Sequence, residues 1–142
     1  MLRTIEEASK NFCIHQIREE FKLSDGVSKK RTLIAYIDID RADTVRFRVY
    51  IASDQQFMQK VSKIFLEEQE SDEETLIDMT LETANLIIGS AKVLAEESNT
   101  NTYTISTPHF EKIAVFDFEV DNAKTISVNG DELTIAIKEL NV

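Results

Sequence analysis

A single cysteine, Cys13, leaves no partner for an intrachain disulfide, and with only His15 near it in sequence it falls short of a metal-binding set. Cys13 is therefore expected to pack, not to react. Three glycines are too few for a phosphate-cradling loop, and neither a serine nucleophile elbow nor a cysteine pair occurs. His15 and His109 are far apart and flank no acidic ligand cluster, so neither is assigned to catalysis or to metal. No apolar run reaches the roughly 18 residues of a membrane span, and the first seven residues lack the apolar stretch of a signal peptide. A cytoplasmic protein with no membrane contact is expected. Basic residues are outnumbered 16 to 26, giving a net charge of −10; such a surface repels nucleic acid and anionic lipid. A protein partner or a small molecule remains.

What is present suits one domain over residues 1–142. With 42% hydrophobic and 30% charged residues, the composition is that of an ordinary globular chain long enough to bury a core. The spacing predicts a helix over residues 4–22, with Ile5, Ala8, Phe12, Ile17 and Phe21 inward, then a charged, turn-rich connector from Ser24 to Lys30. Residues 33–39 and 45–51 read as two strands pairing across Arg41-Ala42-Asp43-Thr44, the second through strict alternation of Val45, Phe47, Val49 and Ile51 with polar or aromatic neighbours. Arg46 and Arg48 are expected to neutralise acidic neighbours and not to form an anion site. Ser53 with Gln56, and Ser71 with Glu74, form capping boxes that open two further helices, the first ending near Glu68. Strands follow at residues 102–106, 113–120, 125–128 and 133–138, with Asn129-Gly130 as a hairpin turn. Antiparallel strands with single-striped helices call for an α+β domain.

The central element is the helix over residues 73–97. At about 100° per residue, Ile77, Leu81, Ala84, Ile88, Ala91 and Ala95 form an inward stripe. A polar row, Asp78, Glu82, Asn85, Gly89 and Lys92, follows the same spacing beside it. Met79, Leu86 and Val93 form an apolar border beyond the polar row, and such a border needs a partner. Taken alone, these residues fit two readings: solvated surface whose border is covered by another helix of the chain, or a docking face for a partner. Gly89 costs the helix about 1 kcal/mol relative to alanine, which suits close approach of another backbone.

Asp78-x3-Glu82-x2-Asn85, followed after 22 intervening residues by Pro108, resembles the signature of the CheC, CheX and FliY phosphatases of bacterial chemotaxis. One copy of the motif is present, as in CheX; Glu7 and Asn11 of the first helix have the wrong spacing for a second. The resemblance implies a CheC/CheX-like fold, a largely antiparallel β-sheet with long helices packed on it. It also implies a phosphorylated CheY-type response regulator as partner, a homodimer, and phosphatase activity on the receiver's aspartyl phosphate. Glu82 would anchor the receiver's lysine and Asn85 would orient the attacking water. Asp78, Gly89, Met79 and Leu86 would contact the partner. The chain would bind no cofactor of its own, the Mg²⁺ being supplied by the receiver. Two departures stand out: Ala42-Asp43-Thr44-Val45 replaces glycines before the second strand, and Ala84 replaces the glycine before the motif asparagine. A receiver- or flagellar-motor-binding module without catalysis, and a structural dimerisation module, are the alternatives.

Overall fold

The computed structural model describes residues 2–41, 45–67, 69–98 and 102–140. In chain order these form α1 (Leu2–Phe12) with a π-helical turn (Cys13–Ile17), β1 (Lys22–Asp25), β2 (Arg31–Arg41), β3 (Arg46–Asp54), α2 (Gln55–Leu66) and α3 (Glu73–Ser98). They continue with β4 (Tyr103–Ile105), β5 (His109–Val115), β6 (Asn122–Val128) and β7 (Asp131–Leu140). The strands make one seven-stranded sheet in the order β1-β6-β7-β3-β2-β4, with β5 also on β2. Every pairing is antiparallel. This is the expected α+β architecture.

Local chemistry explains most of it. Asn129 and Gly130 take φ of 51° and 86°, and Val128 pairs with Asp131 across the turn they make. The turn expected between β2 and β3 falls partly on residues 42–44, outside the described residues, but Arg41 N–H donates to the Val45 carbonyl as the strands separate. Arg48 grips Asp38 through two hydrogen bonds of 2.8 and 3.0 Å, and Arg46 pairs with Asp40, each across the β2–β3 ladder. The arginines are neutralising neighbours, as expected. Cys13 is fully buried, and burial pushes its thiol up to about 11, which keeps it protonated and inert near neutral pH.

Three boundaries differ from expectation. The first helix ends at Ile17, where Arg18 adopts a left-handed conformation, and residues 22–25 add an edge strand to β6. Four mostly exposed residues carry no alternation that could announce a strand. The strand expected over 113–120 lies at His109–Val115 instead. Beyond Val115 the chain crosses the outer face of the sheet, where Phe116 and Phe118 pack on Tyr50 with ring centroids 5.3 and 4.9 Å away. The alternating apolar residues there record packing on the sheet and not a place within it. Finally, both expected serine caps yield to the next residue. Asp54 accepts from the Phe57 N–H at 2.7 Å, and Asp72 from the Thr75 N–H at 2.9 Å. Ser71 is instead clasped by Gln59 through its backbone N–H and carbonyl.

The main core lies between the helices and the inner sheet face: Leu33, Ile37, Ile51, Leu133 and Ile135 meet Ile5, Phe12, Phe57, Met58, Ile87 and Ile88. A smaller cluster of Ile34, Tyr50, Ala52, Phe116 and Ala136 fills the outer face. No helix among the described residues is long and apolar enough to cross a membrane.

Candidate functional site

The expected span of the central helix is met to within a residue at each end by α3. Its start is fixed by Asp72, whose carboxyl is held below the usual carboxylate range by the backbone N–H and then the hydroxyl of Thr75. Small side chains, Ala84, Ala91 and Ala95, all buried, let the helix lie close against the sheet.

The buried arc of α3 is broader than the inward stripe read from the sequence and is rotated from it. Leu76, Met79, Thr80, Thr83 and Ile87 are buried together with Ala84, Ile88, Ala91 and Ala95, whereas Ile77 and Leu81 are half-buried. The cause is that α1 and α2 both pack on the same flank of α3. Thr83 Oγ1 lies 3.8 Å from Met58 Sδ of α2, and Phe12 and Ala8 of α1 line a groove with Ile87. Met79 is thereby drawn into the core, 7% exposed, and does not belong to an outer border. Leu86 and Val93, 39% and 54% exposed, keep the expected outward position.

Asp78, Glu82 and Asn85 are exposed and Gly89 is half-exposed, in one line along about 16 Å of helix. Among the described residues, none of the Asp78, Glu82 or Asn85 side chains has a hydrogen bond or ion pair within the chain. Two carboxylates and an amide therefore face outward with their full bonding capacity. Lys92, at the end of the row, turns instead toward Glu96.

The motif proline has a definable place beside this line. β4 and β5 pair successively with β2, interrupted where Pro108 has no N–H to give to the ladder. Together they run along α3: the Tyr103 N–H donates to Glu96 at one end, and Ile113 lines a cavity with Leu76 at the other. By its register, Tyr103 to Ile113 lies against the eight β2 steps from Arg41 to Leu33, about 26 Å of strand, beside about 30 Å of helix. Pro108 lies in the break between β4 and β5, on the strand pair that borders α3.

Gly89 has no steric reason within the chain, since a Cβ built there meets nothing within 4 Å. Gly89→Ala is accordingly expected to raise stability by about 1 kcal/mol. Chemical denaturation would show this as a higher midpoint at unchanged slope; a lower midpoint would mean that the position is strained or crowded. Sequence reasoning missed the flank of the site, where Asn11, His15 and Gln16 of α1 and its π turn border Leu86 and Ser90. No local signal marks them, because the groove arises from packing between elements distant in sequence. A second groove, lined by Ile14, Arg18, Phe21 and Asn129 among others, contains no motif residue.

The family model described as chemotaxis phosphatase CheX matches residues 35–128. Among individually curated protein sequences none is significantly similar to the chain. Among solved structures, a chemotactic CheC-like protein from Shewanella oneidensis superposes with a TM-score of 0.80 at 12% identity, covering 97% of this chain and 96% of its own. CheX from Vibrio vulnificus gives 0.77 at 19% identity, with 96% and 97% covered. A chain of the CheX–CheY–BeF3–Mg²⁺ complex from Borrelia burgdorferi gives 0.71 at 16% identity, again with 96% and 97% covered. At these identities the superpositions establish the fold, the CheC/CheX-like arrangement expected from the motif. The family-model match spans well over half of the sequence, and the chain belongs to the CheX family of chemotaxis phosphatases.

Proposed function

We propose that this protein removes the phosphoryl group from the aspartyl phosphate of a CheY-type receiver, with α3 as the docking and catalytic helix. The observation that carries the reading is the outward line of Glu82 and Asn85, free of intrachain partners among the described residues. In the reaction, water attacks phosphorus, the acyl P–O bond breaks, and inorganic phosphate leaves the receiver's aspartate. Asn85 suits the water-positioning role because its amide both donates and accepts without adding a charge that would repel phosphate. Glu82, one helical turn earlier, anchors the receiver's lysine. Catalysis is then orientation and electrostatics, with no covalent intermediate on this chain.

Among the described residues no group of three or more His, Cys, Asp or Glu side chains is placed to hold a metal ion. In this reading the Mg²⁺ sits in the receiver and neutralises phosphoryl oxygens there. Support for the partner class comes from the Borrelia complex, in which a protein of this fold is solved with CheY. The substitution of Ala84 for glycine does not obstruct the docking face, because Ala84 is wholly buried on the core side of the helix. That removes one ground for a binding-only module.

Glu82→Lys tests the docking mode. Placing a like charge against the receiver's lysine is expected to weaken binding about tenfold or more, with the thermal midpoint unchanged because Glu82 is exposed. An unaltered dissociation constant would show that Glu82 faces away from the partner.

The assembly proposed is a homodimer presenting two such sites. The sheet leaves β1 at one edge and β4 with β5 at the other, and strand edges invite pairing with a second copy. Sedimentation equilibrium at micromolar concentration is expected to give twice the chain mass; a monomer throughout would exclude the dimer.

A further inference from the structure

The flank of α3 next to the motif is built by a departure from regular helix. Ile5, Ala8, Ser9 and Phe12 of α1 and the adjoining Cys13 are buried, and a continued α-helix would carry Gln16 onto that same face. The chain instead makes a π turn, closed by the Arg18 N–H donating to the Cys13 carbonyl at 2.7 Å. Its extra residue brings Ile17 inward, 5% exposed, and leaves His15 and Gln16 exposed. These two, with Asn11 and Phe12, form one wall of a groove whose other wall is Leu86 and Ser90 of α3. The groove is apolar at its floor and polar at its rim, with no Asp, Glu, Lys or Arg in its lining. The motif line beside it carries the carboxylates of Asp78 and Glu82.

We propose that this α1–α3 groove is the second half of the receiver-docking surface and takes an apolar side chain of the receiver. The inference rests on the phosphatase reading above and adds the part of the surface that supplies affinity without taking part in the chemistry. Two observations commit the occupant. Leu86 directly follows Asn85 and lies one helical turn beyond Glu82, so a body seated on Glu82 and Asn85 covers Leu86 and closes the groove. The outward carboxylates also complement a cationic partner surface, as a receiver presents through its lysine. A second copy of this acidic chain, with net charge −10, is poorly suited to lie there. An apolar contact beside a desolvated ion pair is the usual anatomy of a protein interface centre.

The test is titration of the wild-type protein and two variants against a receiver held in its phosphorylated-like state with beryllofluoride, followed by turnover kinetics on the phosphorylated receiver. Leu86→Ser removes the wall and Ser90→Trp fills the groove; both residues are exposed, so circular dichroism should show an intact fold. Each is expected to raise the dissociation constant and KM about fivefold or more while kcat stays within about twofold, the pattern of lost uniform binding. Val27→Ser, at an exposed apolar residue beyond β1 at the other sheet edge, should change nothing. If the wild type binds and both groove variants bind equally well, the groove is not part of the interface, whatever the fate of the motif. If the wild type binds no receiver, the docking reading itself is overturned and the groove proposal with it.

Discussion

Asn85→Ala is expected to slow dephosphorylation of the receiver by roughly 100-fold while leaving its affinity for the activated receiver unchanged. The magnitude follows from the role: an attacking water displaced by about 1 Å from its in-line position can cost that much. The separation of turnover from binding follows from the geometry. Asn85 is exposed and unpaired within the chain among the described residues, whereas in the proposed mode docking rests on Glu82 and the apolar flank at Leu86. Asn85→Asp should be at least as harmful, because it keeps the size but sets a negative charge beside the phosphoryl group. Were Asn85 only a solvated helix residue, alanine would instead add a few tenths of a kcal/mol of stability and leave turnover alone. Single-turnover decay of the acyl phosphate at saturating protein, alongside a binding titration, separates the two.

The largest expected effect on folding comes from Asp54→Ala. This carboxylate is 5% exposed and accepts three hydrogen bonds, from the Phe57 N–H at 2.7 Å, the Glu132 N–H at 2.8 Å and Lys30 Nζ at 3.2 Å. It therefore ties the β3–α2 junction to β7 and to the segment before β2. Removing it deletes a helix cap and strands backbone donors in a part-buried setting, a loss of about 3 kcal/mol. For a chain of this size that lowers the thermal midpoint by roughly 5–10 °C. Ser53→Ala should cost about 1 kcal/mol at most, since the Ser53 hydroxyl reaches only the adjacent Asp54 carbonyl. Calorimetry finding Ser53→Ala the more damaging would overturn the assignment of Asp54 as cap and tie.

How legible each feature was in the sequence depended on how local its cause is. The bounds of α3, the Asn129-Gly130 hairpin and the β2–β3 pairing rest on capping, turn chemistry and period-two alternation within a few residues, and all appear where the sequence places them. The caps were found only to the nearest residue. Each is a Ser-Asp pair, Ser53-Asp54 and Ser71-Asp72, and local chemistry does not decide between two competent neighbours. Tertiary packing decides, burying Ser53 and drawing Ser71 toward Gln59.

Features set by distant contacts were illegible. β1 exists because β6 offers it an edge, and residues 116–120 alternate because they lie across the outer sheet face. Met79 is buried because α1 and α2 share one flank of α3. At the site, the spacing of Asp78, Glu82, Asn85 and Pro108 was readable at once. The groove of Asn11, His15 and Gln16 was not, since it depends on a π turn whose residues carry no distinguishing pattern.

The central claim is that α3 turns over a phosphorylated receiver, and release of inorganic phosphate from that receiver tests it most directly. The wild-type protein, added in substoichiometric amount to each phosphorylated receiver domain of the same cell, should accelerate release from at least one of them through many turnovers. Asn85→Ala should leave that receiver at its spontaneous rate of decay. Release that is unaffected by the wild type for every receiver, even where the beryllofluoride form binds, would contradict the claim and leave a protein that reads the phosphorylated state without removing it.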